Sequence, residues 1–305
     1  MDNDYMKQVM ASLVPVKGSI SDEEIAKRAA NENELQKKFD NRKGPSVDGS
    51  TQIDYHVYSP VAEGSKEKYP VLIWLHGMSQ GQCFREPLRG SEVAKFAGAE
   101  FQEKFGGGAY VVVPRANEDL GQYATFGFMY TNSWRAGHDE FGRSGQLPEL
   151  VAALKQFFAE EEGNIDFSRV YLTGFSAGGY MTWQTILAMP EIFAAAAPIC
   201  HAWFVPSDED LAKIAHLPLW VICGEKDFLY TPFVAPTVEK LKQKHPADLL
   251  RVSIFDTVLN ADRTIAADQH FSWVSVENDM YYADGKPYDE KYTDGFIAWL
   301  MSYTK

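Results

Sequence analysis

The stretch Val170-Tyr171-Leu172-Thr173-Gly174-Phe175-Ser176-Ala177-Gly178-Gly179-Tyr180-Met181-Thr182-Trp183-Gln184-Thr185-Ile186-Leu187 decides the architecture of this 305-residue chain. Val170–Thr173 is a short apolar run of the kind that forms a buried strand. Gly179–Leu187 reads as a helix that stops near Pro190. Between them, Gly174-Phe175-Ser176-Ala177-Gly178 matches G-x-S-x-G. Alone, that pattern means little, because Gly and Ser are common. Between a strand and a helix it predicts a turn too sharp for side chains at Gly174 and Gly178. Such a turn holds Ser176 in strained backbone and points its hydroxyl out of the sheet. The plainer reading is a glycine-rich turn with a bystander serine.

Working outward, further short apolar runs appear at Val71–Leu75, Tyr110–Val113, Ala194–Ile199, Leu219–Cys223 and Val252–Phe255. Strands apolar along their whole length are covered on both faces, as in parallel sheets. Ile53, Tyr55 and Val57 alternate with polar residues, as in a half-exposed strand. Helix-like stretches separate the runs. Leu147–Glu161, for example, places Leu150, Val151, Leu154, Phe157 and Phe158 on one face. The alternation predicts an α/β fold with a central, mostly parallel sheet flanked by helices, over residues 46–305.

Residues 1–45 read as an N-terminal helical extension. Ser21 and Glu24 have capping-box spacing, which predicts a helix to about Phe39, ended by Asn41-Arg42-Lys43-Gly44-Pro45. Residues 115–146 form a long insertion-like loop, rich in Gly and aromatics and without periodicity. It follows a strand end, so it is expected at the carboxyl edge of the sheet, where open α/β sheets bind ligands.

Composition narrows the function. Hydrophobic residues make up 45% and charged residues 23%, a globular balance. The net charge is −13, from 29 Lys+Arg against 42 Asp+Glu, which argues against nucleic acid and anionic membranes as partners. No apolar run reaches 18 residues, so no membrane span is expected. Cys83, Cys200 and Cys223 form neither a disulfide framework nor a C-x-x-C metal site, and no metal is expected. Met1–Tyr5 lacks the basic and apolar regions of a signal peptide, so a cytoplasmic protein is expected. A secreted protein whose signal peptide had been removed would read the same.

A serine hydroxyl needs a base within hydrogen-bond reach and a carboxylate to orient that base. In this topology the order is serine, acid, histidine. His201, His216, His245 and His270 follow Ser176. His245 sits at a solvated helix end, and His216 precedes a strand, at the wrong edge of the sheet. His201 follows the Ala194–Ile199 strand, but no strand carrying an acid lies between Ser176 and it. His270 lies in a loop after the last strand and is the best base; the plainer reading is a surface-loop histidine. For the acid, Leu219–Cys223 runs into Gly224-Glu225-Lys226-Asp227-Phe228, and position favours Asp227. Glu225 is its local rival; Asp256 and Asp262 are the distal ones. The oxyanion hole is expected from the Ala177 N–H and the Met78 N–H, the latter in the loop His76-Gly77-Met78-Ser79-Gln80-Gly81 after an early strand.

Leu75-His76-Gly77, Gly174-Phe175-Ser176-Ala177-Gly178-Gly179, Gly224-Glu225-Lys226-Asp227 and His270 together resemble the α/β-hydrolase superfamily, over about residues 50–305. The double glycine of the turn and Phe193–Cys200 look like the polyhydroxybutyrate-depolymerase-like and feruloyl-esterase-like carboxylesterases; prolyl-oligopeptidase-type domains are relatives. The resemblance implies hydrolysis of a small-molecule ester through an acyl-enzyme on Ser176, with no cofactor. Many secreted members carry a signal peptide and disulfides, which departs from this chain. Trp134, His201, Trp203 and Phe228 are the expected substrate-binding residues. Such aromatic density suits a flat acyl group, for example a hydroxycinnamoyl ester; alternatively it packs the long loop. A serine peptidase and a non-catalytic binding protein on the same scaffold are the other readings.

Overall fold

The computed structural model describes residues 22–47, 52–77, 80, 86–89, 93–116, 146–260, 265–266, 268–277 and 295–305. Among the described residues eight strands form one sheet: β1 (Asp40–Lys43), β2 (Asp54–Tyr58), β3 (Tyr69–Leu75), β4 (Tyr110–Arg115), β5 (Ile165–Phe175), β6 (Ala195–Ile199), β7 (Leu219–Gly224) and β8 (Leu250–Phe255). They lie in the order β1-β2-β4-β3-β5-β6-β7-β8. The β1–β2 and β2–β4 pairs are antiparallel, and every other pair is parallel. This is the α/β-hydrolase architecture.

Burial explains the sequence pattern. Every residue of β3, β6 and β7 is buried, so those strands read apolar throughout. At the far edge, β8 alternates buried and half-buried residues. At the other edge, β1 is Asp-Asn-Arg-Lys and mostly exposed. The helix α1 (Asp22–Gln36) stops three residues short of the expected Phe39, and Asn41–Lys43, expected as a helix-ending turn, belong to β1. Arg42 ties this polar edge strand to the rest, through Glu161 at 2.8 Å and Glu160 at 3.3 Å. Charged residues on a short edge strand also discourage pairing with other chains.

The remaining helices are α2 (Ala99–Lys104), α3 (Leu147–Glu160), α4 (Ala177–Ala188), α5 (Asp208–Lys213), α6 (Ala235–Lys244), α7 (Ser272–Glu277) and α8 (Phe296–Met301). In α3, Leu150, Leu154, Phe157 and Phe158 are buried on one face, while Val151 is half-buried. In α4, every residue from Ala177 to Ile186 is buried, because sheet and neighbouring segments enclose it on all sides. No helix among the described residues is long and apolar enough to cross a membrane.

Register sets up the site. Leu75 pairs with Gly174, Phe175 with Ile199, and Ile199 with Ile222. The residues that follow these strands therefore emerge side by side along one edge: His76, Ser176, Cys200 and the turn that carries Asp227. This is the carboxyl edge, where open α/β sheets place their ligands.

Candidate active site

The elbow between β5 and α4 is strained. Ser176 has φ 58° and ψ −118°, a conformation that non-glycine residues rarely adopt. The surroundings over-determine it. The Ser176 N–H donates to Ile199 O at 3.0 Å, and its carbonyl accepts from Tyr180 N at 3.0 Å and Ala202 N at 3.3 Å. The glycines around it are obligatory for close approach. A Cβ on Gly174 would lie 2.6 Å from Gly178 O, one on Gly179 would lie 2.6 Å from Ile199 O, and one on Gly178 would collide with the Leu75 carbonyl. The turn thus packs directly onto the ends of β3 and β6, and Ala177 opens α4 with its N–H at the helix start.

Asp227 and His270 come together although 43 residues separate them, with His270 Nδ1 2.8 Å from Asp227 Oδ2. Both are buried, at 5% and 1% exposure. The other carboxylate oxygen, Oδ1, accepts the Leu229 N–H at 2.9 Å, and Cys223 Sγ donates to Oδ2 at 3.5 Å. These bonds fix the carboxylate before it meets the imidazole. Gly224 makes room for the histidine loop, since a Cβ there would lie 2.5 Å from Gln269 O. Asp268 Oδ1 accepts the His270 N–H at 2.9 Å. Of the rival acids, Glu225 and Asp256 are exposed, and Asp262 lies outside the described residues.

Charge on this imidazole is a contest. Burial disfavours the cation, but the Asp227 carboxylate, 2.8 Å away, holds the His270 pKa above 6.5. Cys200 lies against both the Ser176 backbone and His270, so a single side chain spans the elbow and the histidine. Its own thiol is pushed up by burial. Cys200 has φ 37°, a second strained residue at the same edge. Nothing in the sequence patterns marks it out, although its place one residue beyond β6 follows from the strand register.

His76 has a different task. Its Nδ1 donates to Gly77 O at 2.8 Å and its Nε2 accepts from Ala116 N at 3.0 Å, which fixes the neutral tautomer. Burial holds its pKa down at about 4. His76 therefore ties the start of the loop after β3 to the end of β4. Met78, expected as an oxyanion donor, lies outside the described residues, as does Trp134.

Aromatic side chains wall the site. Phe228 is 47% exposed, and its ring lies 5.0 Å from His270. Trp203 is half-buried at φ 43° and lies 6.4 Å from Phe233. Trp273 stacks on Phe175 with centroids 3.8 Å apart and 15° between planes. His201 departs from the expectation of a substrate contact. It is fully buried, with Nε2 3.2 Å from Thr237 Oγ1 and its ring edge-on to Trp183, and burial depresses its pKa to about 3. A Cβ on Gly179 would lie 3.0 Å from the His201 Cα and Cβ, so the start of α4 packs directly against His201 in the core. The Leu229 amide and the Phe175–Trp273 stack are contacts that residue patterns gave no means to find.

The sheet order, the strained elbow and the downstream Asp–His pair define an α/β-hydrolase fold. The prolyl oligopeptidase family matches residues 130–204, a segment that contains the elbow. The chain is 28% identical over 151 residues to poly(3-hydroxyalkanoate) depolymerase C of Paucimonas lemoignei, covering 50% of this chain and 32% of that protein. It is 29% identical over 145 residues to a bifunctional acetylxylan esterase/xylanase of Neocallimastix patriciarum, covering 48% of this chain and 17% of that one. The matched region therefore spans a third or less of each curated relative. Among solved structures, a thermostable esterase superposes with a TM-score of 0.67 at 22% identity, over 89% of this chain and 64% of that one.

Proposed function

We propose that this protein is a serine carboxylesterase that hydrolyses a small ester through an acyl-enzyme on Ser176. The observation that carries the reading is the buried Asp227–His270 pair, 2.8 Å apart, on the same sheet edge as a serine held at φ 58°. His270 takes the Ser176 proton as the hydroxyl oxygen attacks the ester carbonyl. The Ala177 and Met78 amides hold the oxyanion, each worth roughly a hundredfold or more in rate. The tetrahedral intermediate collapses, His270 protonates the departing alcohol, and the acyl group stays on Ser176. Water, deprotonated by His270, then releases the acid and restores the serine. Asp227 keeps the imidazole in the productive tautomer and stabilises its cation. No step calls for a cofactor.

For the substrate, the exposed ring of Phe228 beside His270 supports a flat or aromatic acyl group, such as a hydroxycinnamoyl ester, with Trp203 and Trp134 as further contacts. The curated relatives, one a polyester depolymerase and the other an acetylxylan esterase, support ester chemistry. The match to the prolyl oligopeptidase family favours a second reading, a serine peptidase with the same triad.

The test is direct. Ser176→Ala abolishes hydrolysis of p-nitrophenyl acetate and labelling by a fluorophosphonate probe while the far-ultraviolet spectrum is unchanged. Full activity in that variant refutes the assignment. Cleavage of peptide amides without ester turnover favours the peptidase, and wild-type protein inert to the probe favours a binding protein. A higher kcat/KM for methyl ferulate than for p-nitrophenyl butyrate supports the aromatic acyl group; the reverse preference counts against it.

A further inference from the structure

We propose that Cys200, Asp227 and His270 form an inhibitory binding site for a soft or borderline divalent cation, Zn²⁺ or Cd²⁺. The inhibition rests on the catalytic reading above; the binding does not, because it follows from the side chains alone. One thiol sulfur, one carboxylate oxygen and one imidazole nitrogen lie within 4.8 Å of one another, all on buried residues. Among the described residues this is the group of His, Cys, Asp and Glu side chains suited to holding a metal ion. A tetrahedral zinc ion with its usual bond lengths sets such donors about 3.4–3.6 Å apart. To meet that spacing, the more distant donors, up to 4.8 Å apart, move inward by about an ångström, and the 2.8 Å Asp227–His270 pair opens by about half that.

The donor set selects the ion. Three protein ligands with a fourth position left for water is the open arrangement zinc adopts with mixed sulfur, nitrogen and oxygen donors. A thiolate ligand excludes Mg²⁺ and Ca²⁺, which take oxygen. Cys223 Sγ, 3.5 Å from the same Asp227 oxygen that meets His270, places a second sulfur at the margin of the site. The ester mechanism uses no thiol, so it leaves Cys200 without a role.

The step balances without a redox partner. The cation forms bonds to the sulfur, the nitrogen and the carboxylate oxygen. The Cys200 thiol proton leaves to solvent, joined by the second imidazole proton whenever His270 is charged. The 2.8 Å Asp227–His270 contact is given up to the metal, and the general base is lost with it.

The experiment titrates the full chain with Cd²⁺ and follows the thiolate-to-cadmium charge-transfer band in the ultraviolet. It is run on wild type and on Ser176→Ala, which keeps all three ligands and needs no turnover to be read. The expected result is a band that saturates at one Cd²⁺ per chain in both proteins, is displaced by Zn²⁺, and is lost in Cys200→Ala and Cys200→Ser. In the wild type, Zn²⁺ lowers p-nitrophenyl acetate hydrolysis at least tenfold, EDTA restores it, and the half-inhibiting concentration rises at least tenfold in Cys200→Ser. No band in wild type and Ser176→Ala overturns the proposal. So does an equal band in both Cys200 variants, or equal zinc sensitivity of Cys200→Ser and wild type. A Cys200-dependent band in a protein that turns over no ester supports the metal site and sinks the catalytic reading instead.

Discussion

Phe175 stacks on Trp273 at 3.8 Å, and through that contact the elbow residue before Ser176 is locked to the helix just after His270. The same ring borders the loop after β3, where a Cβ on Gly77 would run into Phe175. Phe175 thus keys together three segments: the loop after β3, the elbow and the histidine loop. Trp273 also meets His270 edge-on at 5.8 Å and lies 4.6 Å from Phe271, so the stack continues into the histidine loop itself.

Replacing Phe175 by Leu keeps an apolar side chain but removes the stacked face. The expected cost is about 1 kcal/mol of stability from the lost ring contact, read by urea unfolding. In the proposed mechanism the larger effect falls on turnover: kcat drops at least tenfold while KM changes little, because Ser176 and His270 lose their alignment and not the binding surface. A variant with lowered stability and unchanged kcat removes the keying role.

In the proposed mechanism, the Asp227–His270 pair sets the pH dependence. A general base works only when neutral, and the His270 pKa lies well above 6.5. kcat/KM therefore falls as pH drops through a midpoint above 6.5, and stopped assays from pH 5 to 9 locate it. Asp227→Asn removes the negative charge, so the midpoint moves down while kcat falls by something on the order of 10⁴-fold. A midpoint that stays in place in Asp227→Asn contradicts the role given to the carboxylate.

Much of this is legible in the chain. The buried strands read as apolar runs because both faces of β3, β6 and β7 are covered. The elbow reads clearly because steric exclusion at Gly174 and Gly178 leaves a sequence trace. What stays hidden depends on contacts between distant segments. Four polar residues give no sign that Asp40–Lys43 completes the sheet, because an exposed edge strand needs no apolar face. His201 reads as a site residue because it follows a strand end, but it is buried against Trp183 and Thr237. Cys200 reads like any buried thiol until the strand register brings it beside His270.

Gly178 tests the packing of the elbow. An alanine methyl there meets the backbone of Leu75 and His76, which cannot rotate away as a side chain can. Gly178→Ala is expected to cost at least the 1–3 kcal/mol typical of overpacking, at about the upper end of that range. It should also push the loop after β3 away from Ser176, lowering fluorophosphonate labelling under conditions where the protein remains folded. Gly163→Ala is the control, since nothing lies within 4 Å of the added methyl. Equal stability and equal labelling of the two variants would show that the elbow has slack.

Buried neutral histidines should make the protein acid-sensitive. His76 and His201 have pKa values depressed by burial to about 4 and about 3, and burial also lowers that of His245. Between pH 6.5 and 4.5 the unfolded chain protonates His76 and His201 while the folded chain largely does not. Stability is thus full above 6.5 and is lost as pH falls, by up to about 1.4 kcal/mol per pH unit for each histidine. His270 acts in the opposite sense: its raised pKa stabilises the fold below 6.5, and that contribution fades only as pH rises through the folded value, outside this window. Urea unfolding at pH 6.5, 5.5 and 4.5 should therefore show a slope approaching two protons from His76 and His201, with His245 adding in the same sense. His201→Gln keeps a polar group against Thr237 but cannot titrate, so the slope should fall by about one proton. A wild-type slope near zero, or one unchanged in His201→Gln, would mean that these imidazoles reach solvent and protonate without unfolding.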